Sequence, residues 1–115
     1  EIISLWRKVK TIVALHFYLD KNKGYKFYAF GSRLATQVRT AIYIISGENT
    51  DQGELQAAGT NCGGTGVNQN IQNVYASEVI FPDENGEIKF TVSRKEGDYI
   101  PLNVLKIEEY TNVEK

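Results

Sequence analysis

The chain consists of short apolar runs separated by turn-forming residues. In residues 87–93, Ile88, Phe90 and Val92 share one face while polar side chains occupy the other, the two-residue period of a half-buried strand. Similar runs, rich in β-branched and aromatic residues, predict strands at residues 12–18, 25–30, 38–46, 54–58, 72–81 and 101–110. About seven short strands with intervening turns predict an all-β, antiparallel β-sandwich.

Turn signals indicate how these strands are joined. Residues 21–24 (KNKG) predict a tight turn, so residues 12–18 and 25–30 are expected to form a hairpin. Residues 82–86 (PDENG) form a second strong turn signal. Polar connections are expected at residues 47–53 and 94–99, and the Gly- and Asn-rich residues 59–70 predict a long exposed loop. Only the first ten residues have a helical pattern, and they lack caps and length.

Length and composition agree with a self-sufficient β domain. The chain has 115 residues, of which 42% are hydrophobic and 11% aromatic, enough for one hydrophobic core and too few residues for two domains. We therefore expect one domain over residues 1–115. No stretch approaches the roughly 20 apolar residues of a membrane span, so no membrane insertion is expected, and no signal peptide is recognisable. Because the chain begins at Glu1, we expect a fragment of a larger multidomain protein.

The charge pattern narrows the classes of ligand. A net charge of −1 argues against nucleic acid as a partner, since such proteins carry a clear basic excess. The charge is uneven: residues 1–40 contain eight Lys or Arg and two acids, whereas residues 41–115 contain five and twelve. This distribution permits a locally basic face that would attract an anionic ligand.

No constellation of catalytic residues is apparent. A Ser-His-acid triad requires a histidine, and the only one, His16, lies within an apolar strand, where a structural or surface role is expected. Ser32 lacks the glycine pattern of a nucleophile elbow, and Cys62 lies in the glycine loop without a neighbouring base. We expect no enzyme activity, no catalytic residue and no cofactor.

No metal site is expected either. The spacing Asp20-x-Asn22-x-Gly24 is similar to the start of a calcium loop, but Gly31 stands where a bidentate acid would be required. A turn explains this segment better, and one Cys with one His cannot form a structural zinc site.

Residues 25–47 carry the most informative pattern. It contains Phe30-Gly31-Ser32-Arg33, Arg39-Thr40, Tyr43 and Gly47, and is followed by Phe81-Pro82-x-x-Asn85-Gly86-x-Ile88 and Leu102-Asn103-x-Leu105-x-Ile107. In this combination the sequence resembles galactose-binding-like jelly-roll modules that are appended to secreted bacterial proteins acting on polysaccharides. The resemblance covers residues 12–110, and compared with those modules the N-terminal strands look shortened or missing.

The resemblance implies a jelly-roll sandwich that binds carbohydrate without catalysis, outside the cell or at the bacterial cell surface. Such a module would target an attached enzyme or surface protein to a glycan, with neighbouring domains of the same chain as further partners. The basic excess of residues 1–40 favours acidic plant polysaccharides over neutral ones. The alternative is a structural or protein-interaction domain without a sugar ligand.

Six residues are candidates for ligand binding. Arg33 and Arg39 either have a structural role, in which each caps strand-end carbonyls or pairs with a buried acid at the rim of the sandwich, or donate forked hydrogen bonds to sugar hydroxyls or uronate carboxylates. Aromatic side chains near strand ends are suited to stacking on a sugar ring, and these are Trp6, Tyr75 and Tyr99. In a sandwich of this strand order Arg39, Tyr99 and Asn103 are expected to lie near one another.

Overall fold

The computed structural model describes residues 2–111, apart from the side chains of residues 4–6. Within this range the regular secondary structure consists of β-strands only. They are β1 (Ile2–Val9), β2 (Ile12–Tyr18), β3 (Gly24–Phe30), β4 (Arg39–Ser46), β5 (Thr50–Ala58), β6 (Tyr75–Ala76), β7 (Glu87–Glu96) and β8 (Ile100–Tyr110). The described part of the chain contains no helix with the length and apolar character needed to cross a membrane.

The strands form two four-stranded antiparallel sheets, with the orders β1-β8-β3-β6 and β2-β7-β4-β5. The pairing is nested, because β4 pairs with β5, β3 with β6, β2 with β7 and β1 with β8. The inner faces of the two sheets enclose one hydrophobic cluster. The predicted antiparallel β-sandwich is therefore confirmed.

Alternating side chains of the central strands build the core. In β7, Ile88, Phe90 and Val92 are fully buried, as their two-residue spacing predicted. Phe27 of β3 stacks against Phe90 across the sandwich with a centroid distance of 6.3 Å, and Tyr43 of β4 lies 5.9 Å from the same ring. Burial of an apolar side chain of this size contributes about 1.5–3 kcal/mol, so this aromatic layer is a main stabilising element.

The predicted hairpin between β2 and β3 is wrong. Residues 21–24 do turn, and the Asn22 amide donates to the Asp20 carboxylate at 2.9 Å, but the turn carries the chain from one sheet to the other. Phe17 of β2 contacts Phe27 of β3 edge to face at 5.8 Å across the core. The two strands have different neighbours, since β2 pairs with β7 and β3 pairs with β6 and β8, so they face each other across the core instead of lying side by side in one sheet.

The N-terminal segment is also not as expected. Residues 2–9 form the edge strand β1, so the helical interpretation of the first ten residues is wrong. The register of β1 against β8 shifts between Ser4 and Arg7, which indicates a β-bulge. Such a bulge disturbs the two-residue alternation from which a strand is recognised in a sequence.

Residues 72–81 contain much less strand than predicted. Only Tyr75–Ala76 pairs with β3, and Ile80 forms an isolated bridge to Tyr25. The cause is local, because the Phe27 amide donates to the Ser77 hydroxyl at 2.9 Å instead of continuing the ladder. Elsewhere strands are longer than predicted, since β5 begins at Thr50 and β7 extends to Glu96.

The segment of residues 59–70 is a loop, as predicted, but side-chain amides hold it in shape. The Asn61 amide donates to the Asn68 side chain at 2.9 Å, and the Asn61 side chain accepts from the Gly66 amide at 2.7 Å. At its end Asn70 is buried and its side chain donates to the carbonyls of Gly31 and Asn73. The loop is thereby fastened to the end of β3.

The two ends of the sandwich have opposite charge. We call residues 7–11, 31–39, 59–74 and 94–99 the basic end; they contain seven cations, Arg7, Lys8, Lys10, Arg33, Arg39, Arg94 and Lys95, against Glu96 and Asp98. We call residues 19–23, 47–51 and 82–87 the acidic end; they contain six acids, Asp20, Glu48, Asp51, Asp83, Glu84 and Glu87, against Lys21 and Lys23.

Candidate functional site

Tyr99 lies at the basic end, in the turn between β7 and β8, which connects the two sheets. Gly97 supplies the positive φ of 94° that this turn requires, and the Gly97 carbonyl accepts from the Arg94 guanidinium at 2.8 Å. A Cβ at Gly97 would lie 2.7 Å from both Arg39 Cγ and the Val38 carbonyl oxygen. The glycine therefore lets the turn approach the start of β4, where Arg39 stands.

Two cations lie over the Tyr99 ring. The Arg39 guanidinium carbon is 4.1 Å from the ring centroid and Lys8 Nζ is 4.8 Å from it, both within cation-π range. Lys8 belongs to β1 and Arg39 to β4, so the two sheets each contribute one cation. We call Lys8, Arg39 and Tyr99 the cation-aromatic cluster.

Gln37 fixes the direction of the Arg39 side chain. Its Oε1 accepts from Arg39 Nε at 3.0 Å and from the Asp98 amide at 3.1 Å, so it joins the loop before β4 to the turn that carries Tyr99. Register shifts against both neighbouring strands occur within one residue of Arg39, at Thr40. Irregularities of this kind redirect side chains at the end of a sheet.

The cluster has excess positive charge. Among the described residues neither Lys8 nor Arg39 forms an ion pair with a carboxylate, whereas Lys95 at the same end pairs with Glu54 at 2.8 Å. Arg39 and Tyr99 are half-buried and Lys8 is exposed, so solvent and ligands can reach the cations. This arrangement is able to bind an anion.

The structure brings together two of the three residues that were predicted to be neighbours. Arg39 and Tyr99 are in contact, whereas Asn103 is engaged elsewhere, because its Oδ1 accepts from the Ser32 amide at 2.9 Å. The Ser32 hydroxyl in turn donates to the Asn70 carbonyl at 2.7 Å. Asn103 therefore anchors the loop that follows β3, and this loop carries the exposed Arg33.

Tyr75 lies outside the cation-aromatic cluster. The Tyr75 ring stacks on Tyr43 at 5.4 Å, and a Cβ at Gly53 would collide with it at 2.4 Å. Its hydroxyl donates to Asp51 at 3.2 Å, and burial together with this carboxylate raises the pKa of Tyr75. Tyr75 thus has a packing role. Trp6 lies in β1, and its side chain is outside the described part of the structure.

Sequence reasoning missed Lys8 and Gln37. Lys8 belongs to a basic segment with Arg7 and Lys10, but no pattern indicated which of them would reach an aromatic ring. Gln37 stands in a loop without any motif, and its contacts arise only because the start of β4 and the turn between β7 and β8 meet at one end. The basic excess of residues 1–40 was the one available signal.

Two concavities lie away from the cation-aromatic cluster. A cleft of about 500 Å³ opens at the acidic end and is lined by Lys21, Asn22, Gly47, Glu48, Pro82, Asp83 and Glu84. Much of its polar surface already serves turns, since Asp83 accepts from the Asn85 and Glu87 amides. An apolar groove of about 260 Å³ lies beside the edge strands, lined by Ile3, Phe17, Leu19, Tyr25, Ile107 and Glu109.

The remaining chemical candidates have ordinary surroundings. His16 is exposed, and its Nδ1 lies 3.0 Å from a Glu87 carboxylate oxygen. Burial raises the pKa of the half-buried Cys62 thiol, which lowers its reactivity. In the described ranges no three His, Cys, Asp or Glu side chains are grouped as they would be in a metal site.

No protein-family model, curated protein or solved structure significantly matches this chain.

Proposed function

We propose that this domain is a non-catalytic carbohydrate-binding module that holds an attached enzyme or surface protein near a polysaccharide. The observation that carries the proposal is the cation-aromatic cluster, in which two cations without carboxylate partners among the described residues converge on one tyrosine. It lies where connecting loops of both sheets meet, and loops presented by a rigid scaffold are common binding surfaces.

The fold supports the same proposal. Nested pairing of eight strands in two sheets is consistent with a jelly-roll architecture of the galactose-binding-like type that the sequence resembles. As a module of this type, the domain would act outside the cell or at the bacterial cell surface. Because few contacts are available, the affinity of one domain should be weak, with a Kd on the order of 10⁻⁴–10⁻³ M.

The test is affinity gel electrophoresis with acidic and neutral polysaccharides. The wild type should be retarded by at least one of them, and Tyr99→Ala should migrate as in a gel without polysaccharide, because loss of the ring releases both cations. Tyr18→Ala is the matched control, since Tyr18 is 73% exposed near the acidic end and should not affect binding. A wild type that is retarded by no polysaccharide would contradict the proposal.

One observation favours the alternative function, a protein-interaction domain. Four exposed aliphatic side chains lie in two loops of the basic end: Leu34, Val38, Ile71 and Val74. Hydrogen bonds join these loops, for example from the Ala35 amide to the Asn68 carbonyl. Aliphatic side chains offer no stacking surface to a sugar, and a protein neighbour would cover them. The same gels distinguish the two functions, because the alternative requires that no polysaccharide bind.

A further inference from the structure

The Arg39 guanidinium is held in place before any ligand arrives. Gln37 accepts from its Nε at 3.0 Å, and the Tyr99 ring lies 4.1 Å below its central carbon. With Nε occupied, the two terminal nitrogens remain as a fork that matches the two oxygens of a carboxylate. Because the side chain is already ordered, less conformational entropy is lost when a ligand binds.

Lys8 adds a second positive charge over the same ring, with Nζ 4.8 Å from the centroid. It acts as a point charge, in contrast to the directional fork of Arg39. The surrounding basic end carries seven cations and two acids, which raises the local concentration of polyanions. A neutral sugar, by contrast, would have to compete with two cations for the Tyr99 ring.

We infer that the cation-aromatic cluster selects uronic acid polysaccharides, with Arg39 binding the carboxylate, Lys8 supplying charge and Gln37 positioning Arg39. The inference rests on the proposed carbohydrate-binding function and deepens it. Tyr99 then acts as a holder for the two cations, whereas the sequence suggested that it would stack on a sugar ring.

The experiment compares binding of polygalacturonate with binding of its fully methyl-esterified form, by isothermal titration calorimetry. These polymers share one backbone and differ in the carboxylate charge. The wild type should bind the acidic form at least about tenfold more tightly, because charge-assisted hydrogen bonds are roughly twice as strong as neutral ones. Equal binding of the two polymers would leave the carbohydrate function standing and overturn this inference. A wild type that binds neither these polymers nor any neutral polysaccharide overturns both.

Four variants test the assigned roles. Arg39→Lys retains the charge but lacks the fork and should bind polygalacturonate roughly ten- to a hundredfold more weakly, and Lys8→Gln should also weaken binding. Gln37→Glu keeps an acceptor for Arg39 Nε and the Asp98 amide, but its carboxylate offsets the positive charge of the guanidinium. It should therefore weaken binding while the thermal midpoint stays unchanged. Lys95→Gln is the control, because Lys95 is already paired with Glu54 and should have no effect. Wild-type affinity of Arg39→Lys or of Gln37→Glu would overturn the assigned roles.

Discussion

Replacing Tyr43 by phenylalanine should stabilise the protein. Tyr43 is fully buried, and its hydroxyl has no hydrogen-bond partner among the described residues. Its ring is nevertheless well packed, with Tyr75 and Phe90 at centroid distances of 5.4 and 5.9 Å. Phenylalanine keeps both stacking contacts and removes only the oxygen, so the substitution isolates the cost of burying that hydroxyl.

The magnitude follows from the desolvation of a hydroxyl. Burying one without a compensating hydrogen bond costs about 1–3 kcal/mol in proteins. The oxygen also fills some space near Gly31, where a Cβ would lie 3.5 Å from it, so its removal forfeits a small part of the packing. We therefore expect Tyr43→Phe to raise the free energy of unfolding by about 1–2 kcal/mol. For a domain of this size the thermal midpoint should rise by about 4–8 °C.

Urea denaturation followed by circular dichroism measures this difference. Tyr25→Phe is the matched control, since Tyr25 is also buried but its hydroxyl accepts from the Asp20 amide at 3.1 Å. The control should lose about 0.5–1.5 kcal/mol, the net value of a hydrogen bond. If Tyr43→Phe is destabilised as much as the control, the Tyr43 hydroxyl is satisfied in solution and the reasoning is refuted.

Two further predictions concern titration and the loop anchor. Burial raises the pKa of Tyr43 above its ordinary value of 10.0, so the folded state holds this proton more tightly than the unfolded state does. The contribution of this group to the free energy of unfolding is fully present below pH 10 and falls by about 1.4 kcal/mol for each pH unit above it. Urea midpoints between about pH 8 and pH 11 should therefore fall less steeply in Tyr43→Phe than in the wild type, and equal slopes would contradict this. Asn70→Ala should cost about 2–4 kcal/mol, because the buried side chain donates to two carbonyls and accepts from two amides. The exposed Gln72→Ala is its control, and equal denaturation midpoints of the two variants would contradict the anchoring role.

Much of the fold could be predicted because burial in a sheet follows a two-residue period. The regular alternation of Ile88, Phe90 and Val92 located β7, and the apolar run of residues 38–46 located the central strand β4. The inward side chains of these strands face the second sheet in the core, so they must be apolar. The turn at residues 82–86 was equally predictable, since Gly86 adopts a positive φ of 77°.

Features that depend on partners distant in sequence could not be predicted. The turn at residues 21–24 has the composition of a hairpin turn, but it connects the two sheets, and Phe17 and Phe27 on either side of it meet across the core. Likewise, nothing near Gln37 indicates that it accepts from the Asp98 amide, 61 residues further along the chain. Arg39 and Tyr99 could be placed together only roughly, from the expected order of strands.

The connectivity explains how an uneven sequence becomes a molecule with two oppositely charged ends. Consecutive strands run in opposite directions along the sandwich, so every connection that follows an odd-numbered strand lies at the same end. Lys8, Arg39 and Arg94 are far apart in sequence, yet each lies beside such a connection. The acids of residues 19–23, 47–51 and 82–87 lie beside the even-numbered connections. Reversing the charge of Lys8 should therefore alter the attraction of an anionic ligand to the basic end. The same reversal at Lys21, beside an even-numbered connection, should leave this attraction nearly unchanged. The reason is screening by salt, because a Debye length of about 8–10 Å is short compared with the 46 Å long axis of the molecule.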